Sequence, residues 1–575
     1  MIAKRNIFLF FFFFVVLNIP ICICRQSFFI FAQEVGEIEK IEKELEKEKI
    51  LRERLEKEKK APEIEEKKEE VALPKEKEER VFIRKINVVG ATLLSEKEIE
   101  EIIKDFKDKE LSLKELQKIC DLITDRYRQK GYVTSRAYLP PQKIVEGVLE
   151  IRVVEGLMGD LEVRGNRYFK SSIFKKKITL KKGEPFNYNI LRKNLAKINE
   201  YPDRSCRAIL SPGKEPLQTD ILLEVKDKLP IHIGFGWDNF GSRYVQKDRY
   251  RTTITNNNFL GREDILTLQY QLAEADAYRL LSLRYLYPFT DTLKLGFFMA
   301  KTKLDLGREY KDLNARGKSK LYSIYLTQSL IEEENITLGL NLGFDYKDIF
   351  NFQLGEETSR DRLRVAKLGW DLDLTDKFGR TIITDELDFG IPDIVGGLKE
   401  KDQRASRTGS GGKFIKNTIN LYRLQRMPFG TQLLWKNQFQ FSSYTLTAPE
   451  QFQIGGISNV RGYPPAEHVG DRGFATTLEC SFPPYFIPKN FKVPLSKAKL
   501  NDSLRTVIFY DWGHVNFKRP QVGEEKSETL SSAGFGFRFN LPEDFSLRLD
   551  FAWPLDKTPS DNDHLHTWIE VSKSF

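Results

Sequence analysis

Alternation at a period of two dominates the second half of the chain. Ile336, Leu338, Leu340, Leu342, Phe344 and Tyr346 alternate with Thr337, Gly339, Asn341, Gly343 and Asp345. Phe545, Leu547, Leu549, Phe551 and Trp553 alternate in the same way with Ser546, Arg548, Asp550 and Ala552. Leu281–Tyr287, Leu293–Met299, Leu368–Leu374 and Phe535–Leu541 repeat the pattern. Successive side chains of a strand point to opposite faces. Each segment therefore predicts a strand with one apolar, aromatic-rich face and one small, polar or charged face. The pattern starts near residue 229 and runs to the C-terminus.

Upstream the period is mixed and the sequence repeats itself. Ile86, Val88 and Gly90 recur as Leu161, Val163 and Gly165, and Leu116, Cys120 and Ile123 as Leu191, Leu195 and Ile198, always 75 positions on. Each unit opens with an alternating strand and a Gly turn, then continues with helical three- and four-residue spacing. Each closes with a strand, through Leu149, Ile151 and Val153 or through Ile221, Leu223 and Val225. Residues 81–156 and 157–228 thus read as two small α+β domains in tandem.

The N-terminus has two further parts. Lys4 and Arg5 precede an apolar run from Ile7 to Ile23, and Ala32 offers a small residue for cleavage, which describes a signal peptide over residues 1–32. Cys22 and Cys24 follow Ile21 and Ile23, where lipid attachment needs a small residue. Residues 33–80 are nearly all Glu and Lys, with Pro62 and Pro74 breaking the run, and read as a solvated helix and linker. The mature chain would keep Cys120, Cys206 and Cys480, too scattered for a metal site. A net charge of +9 from 92 basic and 83 acidic residues, with no basic block, speaks against a nucleic-acid partner.

No segment after the signal approaches the roughly 20 apolar residues of a membrane helix. A soluble sandwich would also alternate, with its apolar face buried. Strand length, terminal aromatics and the export signal favour a transmembrane barrel, since bilayer hydrocarbon cannot hydrogen-bond an open sheet edge. The fold class expected is mainly β: a C-terminal transmembrane antiparallel barrel over 229–575, preceded by the two α+β domains. The chain closes on Phe575, a terminal aromatic of the kind barrel-assembly machinery reads.

The motifs are specific. Gly131–Gly156, GYVTSRAYLPPQKIVEGVLEIRVVEG, resembles the first POTRA domain of two-partner secretion transporters, the TpsB family that includes ShlB, FhaC and HecB. Its marked positions are Gly131, Tyr132, Leu139, Pro140, Pro141, Gln142, Gly147 and Gly156. Gly183–Asn187 (GEPFN) and Leu210–Pro216 (LSPGKEP) resemble that family's second POTRA domain. Asp238, Asn239 and Gly241 in DNFGS resemble its first barrel strand, and Asn256–Asp264 its next hairpin. Val460-Arg461-Gly462-Tyr463 is similar to the loop tip of the wider superfamily that includes BamA-type assembly factors. Phe509, Asp511 and Gly513 are similar to its FxDxG wall strand.

The resemblance implies a sixteen-stranded barrel with a long extracellular loop folded inward, its Arg461 meeting Asp511. Period two puts Phe509, Asp511 and Gly513 on one face and Ile508, Tyr510 and Trp512 towards lipid. A guanidinium keeps its charge and can grip a carboxylate with two parallel bonds. Gly462 would let the tip turn sharply, and Gly513 would leave space on the facing strand. The partner implied is a secreted TpsA-like exoprotein, captured unfolded through strand addition at a POTRA sheet edge. Outer-membrane lipid and the barrel-assembly machinery are the other expected partners. The expected location is the outer membrane of a Gram-negative-type bacterium, with the POTRA domains in the periplasm. A BamA-type insertase and a diffusion porin are the rival readings. The porin leaves the POTRA pair unexplained.

No enzyme is expected. Ser171 and Ser172 face no nucleophile–base arrangement, and no GxGxxG follows a βαβ pattern. His564 and His566 would share one strand face without an evident third ligand, so neither a metal nor a cofactor is expected.

Overall fold

The computed structural model describes residues 64–66 and 80–575, save residues 275, 276, 334, 486, 489, 495, 497 and 543. The expected signal peptide over 1–32, and the charged helix and linker over 33–80 apart from Ile64–Glu66 and Arg80, lie outside the described residues. The chain forms two compact units, an α+β unit and a barrel.

The α+β unit holds two sheets built alike. In the first, Val148–Val154 lies between Lys85–Val89, parallel to it, and Arg136–Tyr138, antiparallel to it. Helices Glu96–Ile103 and Leu113–Gln129 each begin at a serine whose hydroxyl accepts from the third helical N–H. That third residue's glutamate, Glu98 or Glu115, reaches back to the serine. Ile119, Cys120, Ile123 and Tyr127 pack against Leu149 and Ile151 as the core. In the second sheet the order is Ile64–Glu66, Arg204–Pro212, Gln218–Asp227, Leu157–Arg164. Phe174, Leu191, Leu195 and Ile198 pack against Ile221 and Leu223.

The repeat extends to backbone detail. Gly90 (φ +85°) and Gly165 (φ +89°) both turn in the left-handed region, and a Cβ there would come within 2.6 and 2.4 Å of the carbonyls of Val153 and Val225.

The barrel has sixteen strands in a closed antiparallel ring, from Ile231–Asp238 to His566–Ser574, which pair with one another. Its strands run from 8 residues at Ile231–Asp238 to 21 at Glu356–Asp376. Closure leaves no strand edge without a hydrogen-bonding partner, which is what allows a sheet to sit in hydrocarbon. The wall strand Leu504–Asn516 shows both faces: Val507, Phe509, Asp511 and Gly513 are buried, while Ile508 and Tyr510 are exposed. The first strand begins and the last ends at one rim. From the opposite rim leave the long connections 391–413, 443–471, 517–526 and 555–565.

Candidate functional site

The connection 443–471 folds into the lumen. Phe452–Ile454 pairs antiparallel with His468–Gly470, making a short hairpin whose tip carries Val460 to Tyr463. Gly455 (φ +114°) and Gly456 (φ +83°) supply the sharp turn, and the Asn459 side chain ties it by accepting from the N–H groups of Gly455 (2.9 Å) and Val460 (2.7 Å). Gly462, expected to supply that turn, keeps a backbone open to any residue. It is needed for a different reason: a Cβ on it would lie 2.6 Å from the Ser532 Cβ and 2.8 Å from the Pro554 nitrogen. Gly513 is the matching space on the wall, where a Cβ would meet Ile454 at 2.8 Å and Val460 at 2.9 Å.

Arg461 is 2% exposed. Its Nε and a terminal nitrogen each donate to one oxygen of Asp511 at 2.9 Å, and its backbone N–H donates to the same carboxylate at 3.2 Å. The other terminal nitrogen donates to Glu479 at 2.9 Å and lies 3.5 Å from Asp550. The guanidinium carbon sits 3.3 Å from the centre of the Phe509 ring. Arg538 in turn bridges Glu479 and Asp550, and Arg548 donates to Asp550 at 2.9 Å. Three arginines thus balance three carboxylates in a buried array, which is the condition for holding charges away from water. Sequence reasoning did not single out Glu479, Arg538, Arg548 or Asp550. Their signal was charge on the small-polar face of otherwise alternating strands.

The barrel-start segment reaches the same loop through Phe240, which clusters with Ile457 and Trp568. Asp238 is buried and accepts from Arg249 at 2.7 Å. Asn239 clasps the seam: its side chain accepts from the Ile569 N–H and donates to the Thr567 carbonyl, both at 2.8 Å. Gly241 lies where a Cβ would strike the Gln246 carbonyl at 2.0 Å. Between Asn239 and Gly241, Phe240 packs edge-on to Trp568, whose indole N–H donates to the Arg461 carbonyl at 2.8 Å. Trp568, unremarked in the sequence, joins the seam to the loop. Val460 and Tyr463 are fully buried in an apolar cluster with Phe452, Ile454 and Leu530.

The POTRA motif residues gather elsewhere. Tyr132 packs edge-on to Tyr127, and Leu139 borders the first core. After Pro140 and Pro141, which offer no backbone N–H, Gln142 pairs with the backbone of Glu150 through both its amide atoms (2.6 and 2.8 Å). Gly147 turns at φ +73° and accepts from the N–H groups of Arg84 and Lys85. Gly131 and Gly156 form the joint between the two small domains: Gly156 accepts from Phe186 (2.9 Å) of the GEPFN segment, and Gly131 from Tyr188 (2.8 Å) just after it. A Cβ at Gly131 would meet Asn189 at 2.6 Å, and one at Gly156 would meet Thr134 at 2.1 Å.

His564 lies in the connection 555–565 and does not share a strand with His566, which opens the last strand; ligand-type atoms of Asp561, Asp563 and His566 lie within 4.8 Å of one another. Lys247 stands 3.7 Å from Asp563 there.

The model of the family described as haemolysin secretion/activation protein ShlB/FhaC/HecB matches residues 218–539, and that of the ShlB-type POTRA domain matches residues 81–156. The heme/hemopexin transporter protein HuxB of Haemophilus influenzae is 25% identical over 508 residues, covering 83% of this chain and 84% of the relative. The solved structure of CdiB from Escherichia coli matches with a TM-score of 0.68 at 20% identity, over 88% of this chain and 93% of that one. CdiB from Acinetobacter baumannii matches at 0.62 with 16% identity, over 94% and 99% of the two chains.

Proposed function

The chain belongs to the ShlB/FhaC/HecB family of haemolysin secretion/activation proteins, outer-membrane transporters with periplasmic POTRA domains, and from that membership we propose the steps by which it exports one large secreted exoprotein. The client arrives unfolded and adds a strand to a POTRA sheet edge, where backbone hydrogen bonds supply affinity without a fixed side-chain sequence. On the second sheet, the edge of Arg204–Pro212 carries the chain's own Ile64–Glu66, paired parallel to Ala208–Leu210. A client strand taking that edge displaces this short stretch of three residue pairs.

The observation that carries the reading is the Arg461 array. A loop tip held by a bidentate grip on Asp511 and a bond to Glu479 is a resting closure of the lumen with one seated position. The Arg461 loop leaves that seat when the client passes, and client folding outside makes export one-way without a nucleotide or a chemical step. Lipid meets the outward faces, through residues such as Ile508 and Tyr510, and the barrel-assembly machinery inserts the chain.

The test is a secretion assay in a Gram-negative host, co-expressing this chain with a large candidate exoprotein from the same genome. Appearance of the client at the surface or in the medium only when this barrel is present supports export. A periplasmic client, together with altered assembly of other barrels, replaces export with an insertase role.

A further inference from the structure

The inward connection touches the wall at a second charged site. Just before the hairpin, the turn Ala448–Glu450 buries Glu450 completely. One carboxylate oxygen lies 2.6 Å from the Lys347 ammonium and the other 2.5 Å from that of Lys416. Lys347 belongs to the strand Ile336–Gln353 and Lys416 to the strand Phe414–Arg426. Both ammoniums are positioned by further wall charges: Lys416 lies 3.1 Å from Asp388, and Lys347 3.9 Å from Asp345. Gln440 fastens both flanks of the hairpin, donating to the carbonyls of Glu450 (3.0 Å) and Asp471 (3.3 Å).

We infer that Glu450 is a carboxylate latch, a second anchor of the inward loop on a different arc of the wall from Arg461. Both anchors must release before the loop leaves the lumen. In ring order the Glu450 partners stand on the seventh and tenth strands, and the Arg461 partners on the twelfth, thirteenth and fifteenth. The polarity is complementary at each place: the loop offers an anion to a lysine-bearing arc and a cation to a carboxylate-bearing one. A loop displaced by a few strands would meet like charge or leave buried charges without partners, both strongly unfavourable away from water. Two anchors also prevent what one allows. Loss of either anchor lowers the cost of displacing the loop, because only the other then has to release.

The inference rests on the reading of this loop as the resting closure, and channel recording without any client separates the two. The full-length protein is reconstituted in planar bilayers, and each variant's fold is checked by the shift of its unheated band in an SDS gel. E450Q is expected to raise the fraction of time the channel is open by about tenfold, as is K347Q/K416Q, because each removes a buried ionic contact. The triple variant E450Q/K347Q/K416Q is expected to stay within roughly twofold of E450Q, since an interaction already lost cannot be lost twice. Summed effects in the triple variant would show Glu450 acting elsewhere and overturn the latch, as would wild-type gating in a folded E450Q barrel. Raised gating in E450Q together with a client never exported would keep the latch and remove the export reading.

Discussion

A guanidinium enclosed by Glu479, Asp511 and Asp550 cannot be exchanged for an ammonium without loss, because only the planar fork serves Asp511 with two donors and Glu479 with a third. Arg461→Ala leaves those carboxylates buried with Arg538 and Arg548 alone, at a cost of about 3–5 kcal/mol to the seated loop. The barrel is expected to insert at wild-type abundance while secretion falls; normal export by this variant would remove the proposed loop role. Arg461→Lys should restore export only in part. In the α+β unit the comparable residue is Glu155, which accepts from the N–H groups of Thr92 (2.7 Å) and Leu93 (2.9 Å) and the Tyr127 hydroxyl (2.7 Å). Burial alone would raise its carboxyl, but these bonds outweigh burial and hold it below the ordinary carboxylate value. A depressed folded value means the stabilisation is present above the unfolded value, about 4.3, and is lost as pH falls through the folded one. Hydrogen exchange is expected to show the Thr92 and Leu93 amides protected at neutral pH and exposed under acid. Protection independent of pH would contradict this.

At the scale of elements, alternation and the 75-residue repeat were legible in the sequence because both follow from side-chain geometry within a single strand or helix. The reason for Gly462 was not legible. A glycine needed for left-handed backbone and one needed for contact look alike in a sequence, and only the approach of Ser532 and Pro554 tells them apart. Gly513→Ala tests the contact between hairpin and wall: the added methyl meets Ile454 and Val460 inside 3.0 Å and should cost about 1–3 kcal/mol through overpacking, read as weakened loop closure in channel recordings. The strand Ile64–Glu66 gives the other elemental prediction. Glu65→Pro removes a backbone donor from a three-residue pairing, so it should loosen this stretch and raise client affinity in pull-downs with an extended client fragment. Unchanged affinity would mean that the client uses another edge.

For the whole molecule, the outward face has to match hydrocarbon along its full height. Leu342 and Leu478 lie exposed on that face, and an arginine at either should cost about 2–4 kcal/mol near the bilayer midplane. Reduced heat resistance of the folded band in SDS gels would measure it, and an arginine tolerated at both would argue against a lipid-facing surface. The inner face tolerates charge because the wall pairs it: Lys367 lies 2.7 Å from Glu386, and Arg380 lies 2.6 Å from Asp373.

Period, repeat and motif order belong to the sequence. They determined a barrel preceded by repeated α+β domains, because a strand's two faces and a helix's apolar stripe are written locally in residue spacing. The resemblance of Val460–Tyr463 and Phe509–Gly513 to one family directed attention to Arg461 and Asp511. What only the tertiary structure decided is which distant charges share a buried space. Glu450 stands 103 positions from Lys347, Trp568 107 from Arg461, and Asn239 330 from Ile569. No local spacing encodes such pairs. They follow from closing sixteen strands into a ring and folding one loop inside it, where each charge removed from water requires a partner within reach.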